Sequence, residues 1–170
     1  MKSPIWENIF RGWNKEKESD TVLTLKQVPI FADLTEKEFT QIEKIIHKRN
    51  YKPKEFIFKE SAPGVGMYII MKGSVDIVIN SSTEDETILA TMKEGNFFGE
   101  LTLLDEKSRS AAAVSRENSV ILGFFRPDLL DLLKRKPSFG IKILLNLASI
   151  IGDRLRDTNE TLEKMRRGKK

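Results

Sequence analysis

The chain has 170 residues, 39% hydrophobic and 32% charged, with a formal net charge of +4, one histidine and no cysteine. This suffices for one domain with a hydrophobic core plus short appendages, and it excludes disulfides, thiol catalysis and thiolate metal sites. One histidine cannot furnish a multi-histidine metal cage, and no apolar run approaches the ~20 residues of a membrane span or the core of a signal peptide.

In chain order, Trp6, Ile9, Phe10 and Trp13 fall at i, i+3, i+4 and i+7, the spacing of one helix face. Residues 14–20 are a polar spacer, so residues 1–23 read as an appendage that docks on its own domain, on a partner or on a membrane surface. The domain is expected from Thr24. A short helix and a Pro-containing turn lead to a second helix, announced by a Thr35/Glu38 capping box. Phe39, Ile42, Ile45 and Ile46 follow at helical spacing, which places His47 at the helix end.

Beyond residue 50 the period changes from helical to alternating. "FIFKE", "GMYIIMKG", "SVDIVIN", "TILATM" and "SVILGFF" read as short strands separated by Gly, Pro, Ser or charged clusters. "RPDLLDLLKRK" is a helix with Pro127 in its first turn. A last helix, capped by Ser138, runs to about Met165. Along it Leu144, Ala148, Ile151, Leu155, Thr158, Leu162 and Met165 step by four and three, a heptad seam. A lone domain could bury this stripe against its own sheet, but Leu145, Leu147 and Ile150 lie off the seam and can serve that purpose, so a seam pairing two chains is the favoured expectation. The order helices, strands, helices predicts an α+β fold: a β-roll, jelly-roll-like, with its strands closed on themselves. The domain spans 24–165, and 166–170 form a basic tail read as a solvated terminus.

The segment Gly95–Val114, "GNFFGELTLLDEKSRSAAAV", carries the chemistry. A strand end, a glycine turn at Gly99 and one short helical turn would present outward-pointing amides to an anion. Arg109 supplies forked, charge-assisted hydrogen bonds to phosphate, Ser110 adds a hydroxyl, and Ala111 to Ala113 leave room. Glu100 would repel phosphate and so must accept from another part of a ligand, such as a sugar hydroxyl. The alternative is a surface ion pair between Glu100 and Arg109, which is worth little.

Phe98-Gly99-Glu100-Leu101 followed by Arg109-Ser110-Ala111 resembles the phosphate-binding cassette of the cyclic-nucleotide-binding domain family. "VPIFADLTEKEF" is similar to that family's opening helices and "PGVGMYIIMKGSVDIVI" to its second and third core strands. The resemblance implies that Glu100 accepts the ribose 2′-hydroxyl. Arg109 and Ser110 then hold the cyclic phosphate, while Gly99 and the amides near Leu101 and Thr102 complete the cradle. It further implies that Arg154 braces Glu100 and that Thr158 and Asn159 face the purine, although Asn159 replaces a hydroxyl residue. Ser61 stands where the family usually has Gly, and Val65 where an acidic residue is common; both are expected away from the pocket.

The resemblance implies a cytoplasmic sensor of a 3′,5′-cyclic nucleotide, cAMP by preference with cGMP possible. It needs no cofactor or metal, is not an enzyme, and forms a homodimer through the last helix. A downstream effector protein is expected, with no DNA-binding domain and no membrane span in this chain. The competing expectation is a dimerisation scaffold with a vestigial pocket.

Overall fold

The computed structural model describes residues 18–81 and 85–167. The aromatic face of Trp6 to Trp13 and the last three residues of the basic tail lie outside the described residues.

Helix α1, Asp20–Lys26, starts inside the stretch read as spacer. The Ser19 hydroxyl accepts from the Val22 amide at 3.1 Å and caps it, and Val22 and Leu25 are buried. The chain is therefore packed from Asp20, four residues ahead of the expected domain start. A 3-10 turn at Pro29–Phe31 leads to α2, Glu36–Glu43, with both halves of the Thr35/Glu38 capping box formed. The helix stops at Glu43. Ile45 and Ile46 lie in the turn after it, and His47 opens a strand instead of ending the helix.

Eight strands follow: β1 His47–Tyr51, β2 Phe56–Phe58, β3 Gly66–Lys72, β4 Ser74–Ile79, β5 Thr87–Lys93, β6 Phe97–Phe98, β7 Ala112–Ser115 and β8 Ser119–Phe125. They form two antiparallel four-stranded sheets, ordered β1-β8-β3-β6 and β2-β7-β4-β5. The expected β-roll is thus two facing sheets with open edges, not a closed barrel.

Side-chain alternation explains how these strands pack. In β3, Met67 and Ile69 point to a core shared with the helices, whereas Tyr68 and Ile70 point between the sheets. β8 divides in the same way, Leu122 and Phe124 to the helical core and Ile121 to the inter-sheet core. The first sheet is therefore buried on both faces, which is why its central strands read as nearly continuous apolar runs.

Helix α3, Arg126–Arg135, has Pro127 in its first turn as expected. Helix α4, Pro137–Arg167, buries Phe139, Gly140, Ile143 and Leu147 against the domain. Leu144, Ile150 and Ile151 also pack on this core, while Leu145 is 66% exposed. Leu144 and Ile151 of the expected seam thus serve their own domain, and Leu145 does not. From Asp153 onward every described residue of α4 is exposed.

Glu38 ties α2 to α4, accepting from Lys142 Nζ at 2.8 Å while its carboxylate also takes the Thr35 amide and hydroxyl. Burial alone would push this carboxyl up, but the hydrogen bonds from Lys142 and Thr35 more than offset it and hold Glu38 below the ordinary carboxylate value. A depressed carboxyl contributes stability above its unfolded pKa and loses it as pH falls through the folded value. Acid melts are therefore expected to steepen below pH ~4.5, the ordinary carboxyl range, and Glu38→Gln to flatten that dependence; identical slopes in the two proteins would refute the linkage.

Candidate functional site

The strand β6 ends at Phe98 and is followed by Gly99, whose φ of 75° is left-handed. A Cβ there would lie 2.5 Å from Arg109 Nη1, so the turn and the neighbouring guanidinium both require glycine. A 3-10 turn, Glu100–Leu103, follows and buries Glu100, Thr102 and Leu103. The Thr102 hydroxyl donates to the carbonyls of Gly66 and Gly99, each at 2.9 Å, and pins the turn to the start of β3.

Arg109 is 6% exposed. Its Nη2 donates to the Gly66 carbonyl at 2.6 Å and its Nη1 to the Gly99 carbonyl at 3.2 Å. The guanidinium lies 4.1 Å from the Phe58 ring centroid and 5.5 Å from that of Tyr68. Burial pushes the Arg109 guanidinium below its ordinary value, an effect that Tyr68 and Glu100 partly oppose. It makes no ion pair with a carboxylate among the described residues, and its Nε is buried without a hydrogen-bond partner. A buried cation held by neutral groups and ring faces, with no carboxylate bonded to it and a donor left over, is costly to maintain unless an anion joins it.

Glu100 is also buried, at 5% exposed, and pairs with Arg154 rather than with Arg109. The bland alternative, a surface Glu100–Arg109 pair, is thereby removed. The Arg154 guanidinium lies 5.1 Å above the Phe97 ring. These contacts join α4 to the cassette. Truncation by Arg154→Ala leaves a buried carboxylate unpaired, at a cost of about 1–3 kcal/mol. The melting temperature should fall, and Glu100→Gln in the same chain should recover most of the loss. Additive losses in the double variant would show that the two groups are not coupled.

A cavity of about 490 Å³ opens between the sheets and α4. Of the expected site residues, Gly99, Glu100, Leu101, Thr102, Arg109, Ser110, Ala111 and Arg154 line it. Ala112 and Ala113 do not leave room for a ligand; they are strand residues fully buried in β7. Thr158 and Asn159 are exposed and do not line the cavity, and the Thr158 hydroxyl donates to the Arg154 carbonyl of its own helix at 2.8 Å. These two are not brought to the site.

Ser61 is closer to the site than expected. Its amide donates to the Arg109 carbonyl and the Arg109 amide donates to the Ala62 carbonyl, each at 2.8 Å. Its φ of 63° is left-handed, which explains why a glycine suits that position. Val65 is 47% exposed and supplies no carboxylate to Arg109. The Phe58 and Tyr68 platform and the Gly66 carbonyl were not singled out from the sequence. Among the described residues no group of three or more His, Asp or Glu side chains is placed to hold a metal ion, and no helix is long and apolar enough to cross a membrane.

Two facing antiparallel sheets, helices on one side and a turn built around a buried arginine at the wall of a cavity define a β-roll with a cationic pocket at its cassette. Residues 48–136, just over half of the chain, match the family model described as the cyclic nucleotide-binding domain, and the chain belongs to that family. It is 32% identical over 139 residues to the cyclic AMP receptor protein of Thermus thermophilus, covering 82% of this chain and 62% of that one. The crystal structure of Thermus thermophilus catabolite activator protein superposes with a TM-score of 0.70 at 32% identity, over 81% of this chain and 62% of that one. The cGMP-dependent protein kinase 2 of Mus musculus is 26% identical over 117 residues, 68% of this chain but 15% of the kinase. The chain thus spans about three fifths of the first relative and a small part of the kinase.

Proposed function

We propose that this chain is a cytoplasmic sensor that binds a 3′,5′-cyclic nucleotide in the 490 Å³ cavity, and that it is a binding module rather than a catalyst. The observation that carries the reading is Arg109, a buried cation with an unpartnered Nε at the cavity wall. A cyclic phosphodiester supplies the missing anionic acceptor. Glu100, with Arg154 on one oxygen, accepts the ribose 2′-hydroxyl on the other, and Ser110 adds a hydroxyl at the phosphate end. A vestigial scaffold has no use for a buried, incompletely paired arginine, because replacement by an apolar side chain relieves that cost.

The preferred ligand is cAMP. The T. thermophilus relative is named for cyclic AMP and the kinase relative for cGMP, so both purines belong to the test. Discrimination rests on Thr158 and Asn159, whose oxygens accept from the adenine amino group. Both reach a base only if α4 folds over the cavity or the helix comes from a second chain. The last helix also carries the dimer contact and the output to an effector protein, since ligand on Arg109 and Glu100 acts on α4 through Arg154. Its influence is bounded by the ligand's differential affinity for the two helix positions.

Calorimetric titration with cAMP and cGMP tests the reading directly. A preference of about tenfold for cAMP is expected, the value of one net hydrogen bond of ~1.4 kcal/mol. Thr158→Val should narrow it. Absence of binding to either nucleotide would leave the scaffold reading in its place, and a ratio unchanged in Thr158→Val would remove Thr158 from the site.

A further inference from the structure

A second depression, of about 400 Å³, lies between α1 and the far end of the first sheet, away from the cyclic-nucleotide cavity. Three apolar side chains line it: Leu23 from α1, Met71 at the end of β3 and Val120 near the start of β8. The rest of the lining is polar: Asp20, Thr24 and Gln27 beside Leu23, and Lys72 and Glu94 beside Met71. Leu23 is 45% exposed although it lies in the first turn and a half of a helix that buries Val22 and Leu25. It occupies the fourth helical position, which in a hydrophobic staple packs against an apolar residue just before the cap. Here that residue is Glu18, so the staple is not made from within the cap.

The chain ahead of the cap holds what the depression lacks. Trp6, Ile9, Phe10 and Trp13 form a four-member apolar set at helical spacing, and residues 14–19 join them to α1. Six residues reach at most ~20 Å, so this set is confined to the neighbourhood of α1 and the adjoining sheet end. A short tether gives an effective concentration on the order of millimolar. A contact too weak to hold two separate molecules at micromolar concentration is then occupied within one chain. Large aromatic side chains left in water beside the exposed Leu23 and its neighbours Met71 and Val120 are the costlier arrangement.

We infer that the depression between α1 and the β3/β8 end is a docking groove for the N-terminal segment Trp6–Trp13 of the same chain, seated on Leu23, Met71 and Val120. The inference does not depend on the nucleotide reading, because no groove residue lines the nucleotide cavity.

The chain has two tryptophans, both in this segment, so the protein's tryptophan fluorescence reports the segment alone. The full chain should show blue-shifted emission weakly quenched by acrylamide, unchanged on serial dilution. Leu23→Glu, at an exposed helix position, should shift emission to the red and raise quenching. Val120→Thr, which keeps the side-chain shape, should do so in part. Circular dichroism and cyclic-nucleotide titration should stay as in the parent for both variants, which separates loss of docking from loss of fold or of the nucleotide site. Solvent-exposed emission in the parent would overturn the inference. So would blue emission indifferent to both variants, which places the segment on another surface. Blue emission lost on dilution would also overturn it, assigning the segment to a second copy, as would emission that turns blue only with lipid vesicles.

Discussion

Arg109→Leu is expected to abolish useful cyclic-nucleotide binding while leaving the empty protein as stable as the parent, or more so. The two halves of this result have separate causes. In the complex, Arg109 is a buried, charge-assisted donor to the phosphate, and truncating one member of such a pair costs on the order of 2–5 kcal/mol, at least ~30-fold in affinity. In the empty protein the guanidinium is 6% exposed and bonded to two carbonyls, with Nε unsatisfied. Replacing a buried, poorly compensated charge by an apolar side chain of similar size is often neutral or stabilising. Leucine can rest on the Phe58 and Tyr68 rings that now carry the guanidinium. Thermal melts with and without nucleotide read both halves together: an unchanged or raised midpoint for the free variant, and loss of the ligand-dependent rise seen in the parent. Arg109→Lys should fall between, since an ammonium keeps the charge but not the fork. A variant that still rises with nucleotide as the parent does would remove Arg109 from the phosphate site.

The cassette was legible because its parts are local. Gly99, Glu100 and the turn to Leu103 are consecutive, and Arg109 returns after nine residues to the same point. The capping box at Thr35 and Glu38 was legible for the same reason. What escaped was either distant or featureless. Arg109 is bonded to Gly66, 43 positions away, through a backbone carbonyl that no side-chain pattern announces. The rings beneath it belong to two different strands, β2 and β3, that meet it only in the folded sheets. Strand β1 was missed because His47 to Asn50 are exposed, so an edge strand of charged residues shows no alternation. Such charges suit an open sheet edge, where they discourage pairing with another chain. Strand β7 was hidden by its alanines, whose small size suggested room when it serves close packing. In α4 the heptad period is plain in the sequence, but periodicity does not say which residues the domain takes for itself. The structure assigns Leu144 and Ile151 to the core and exposes Ile141 and Leu145.

Leu155→Glu is expected to convert a dimer into a folded monomer. After the domain takes its share of α4, an apolar stripe remains: Leu155 at 60% exposure, Leu162 at 52% and Met165 at 62%, continued toward the domain by exposed Ala148 and Leu145. A free helix with such a stripe has little reason to stand alone in water. A second copy related by a twofold axis along the helix covers each stripe with the same stripe. The substitution costs the isolated chain little, because Leu155 is 60% exposed, yet it places two carboxylates at the centre of the seam. Breaking a buried arrangement with an unpaired charge costs about 3–5 kcal/mol, at least ~100-fold in the dimer dissociation constant. Light scattering at micromolar concentration should give twice the chain mass for the parent and one chain mass for Leu155→Glu, with unaltered circular dichroism. Nucleotide binding should survive in the monomer at the level set by Arg109 and Glu100, since Leu155 does not line the cavity. Any preference between cAMP and cGMP should shrink only if the base is read by the second chain's Thr158. A monomeric parent would assign the stripe to another partner, whereas a monomeric variant with intact base preference would assign Thr158 to its own chain's site.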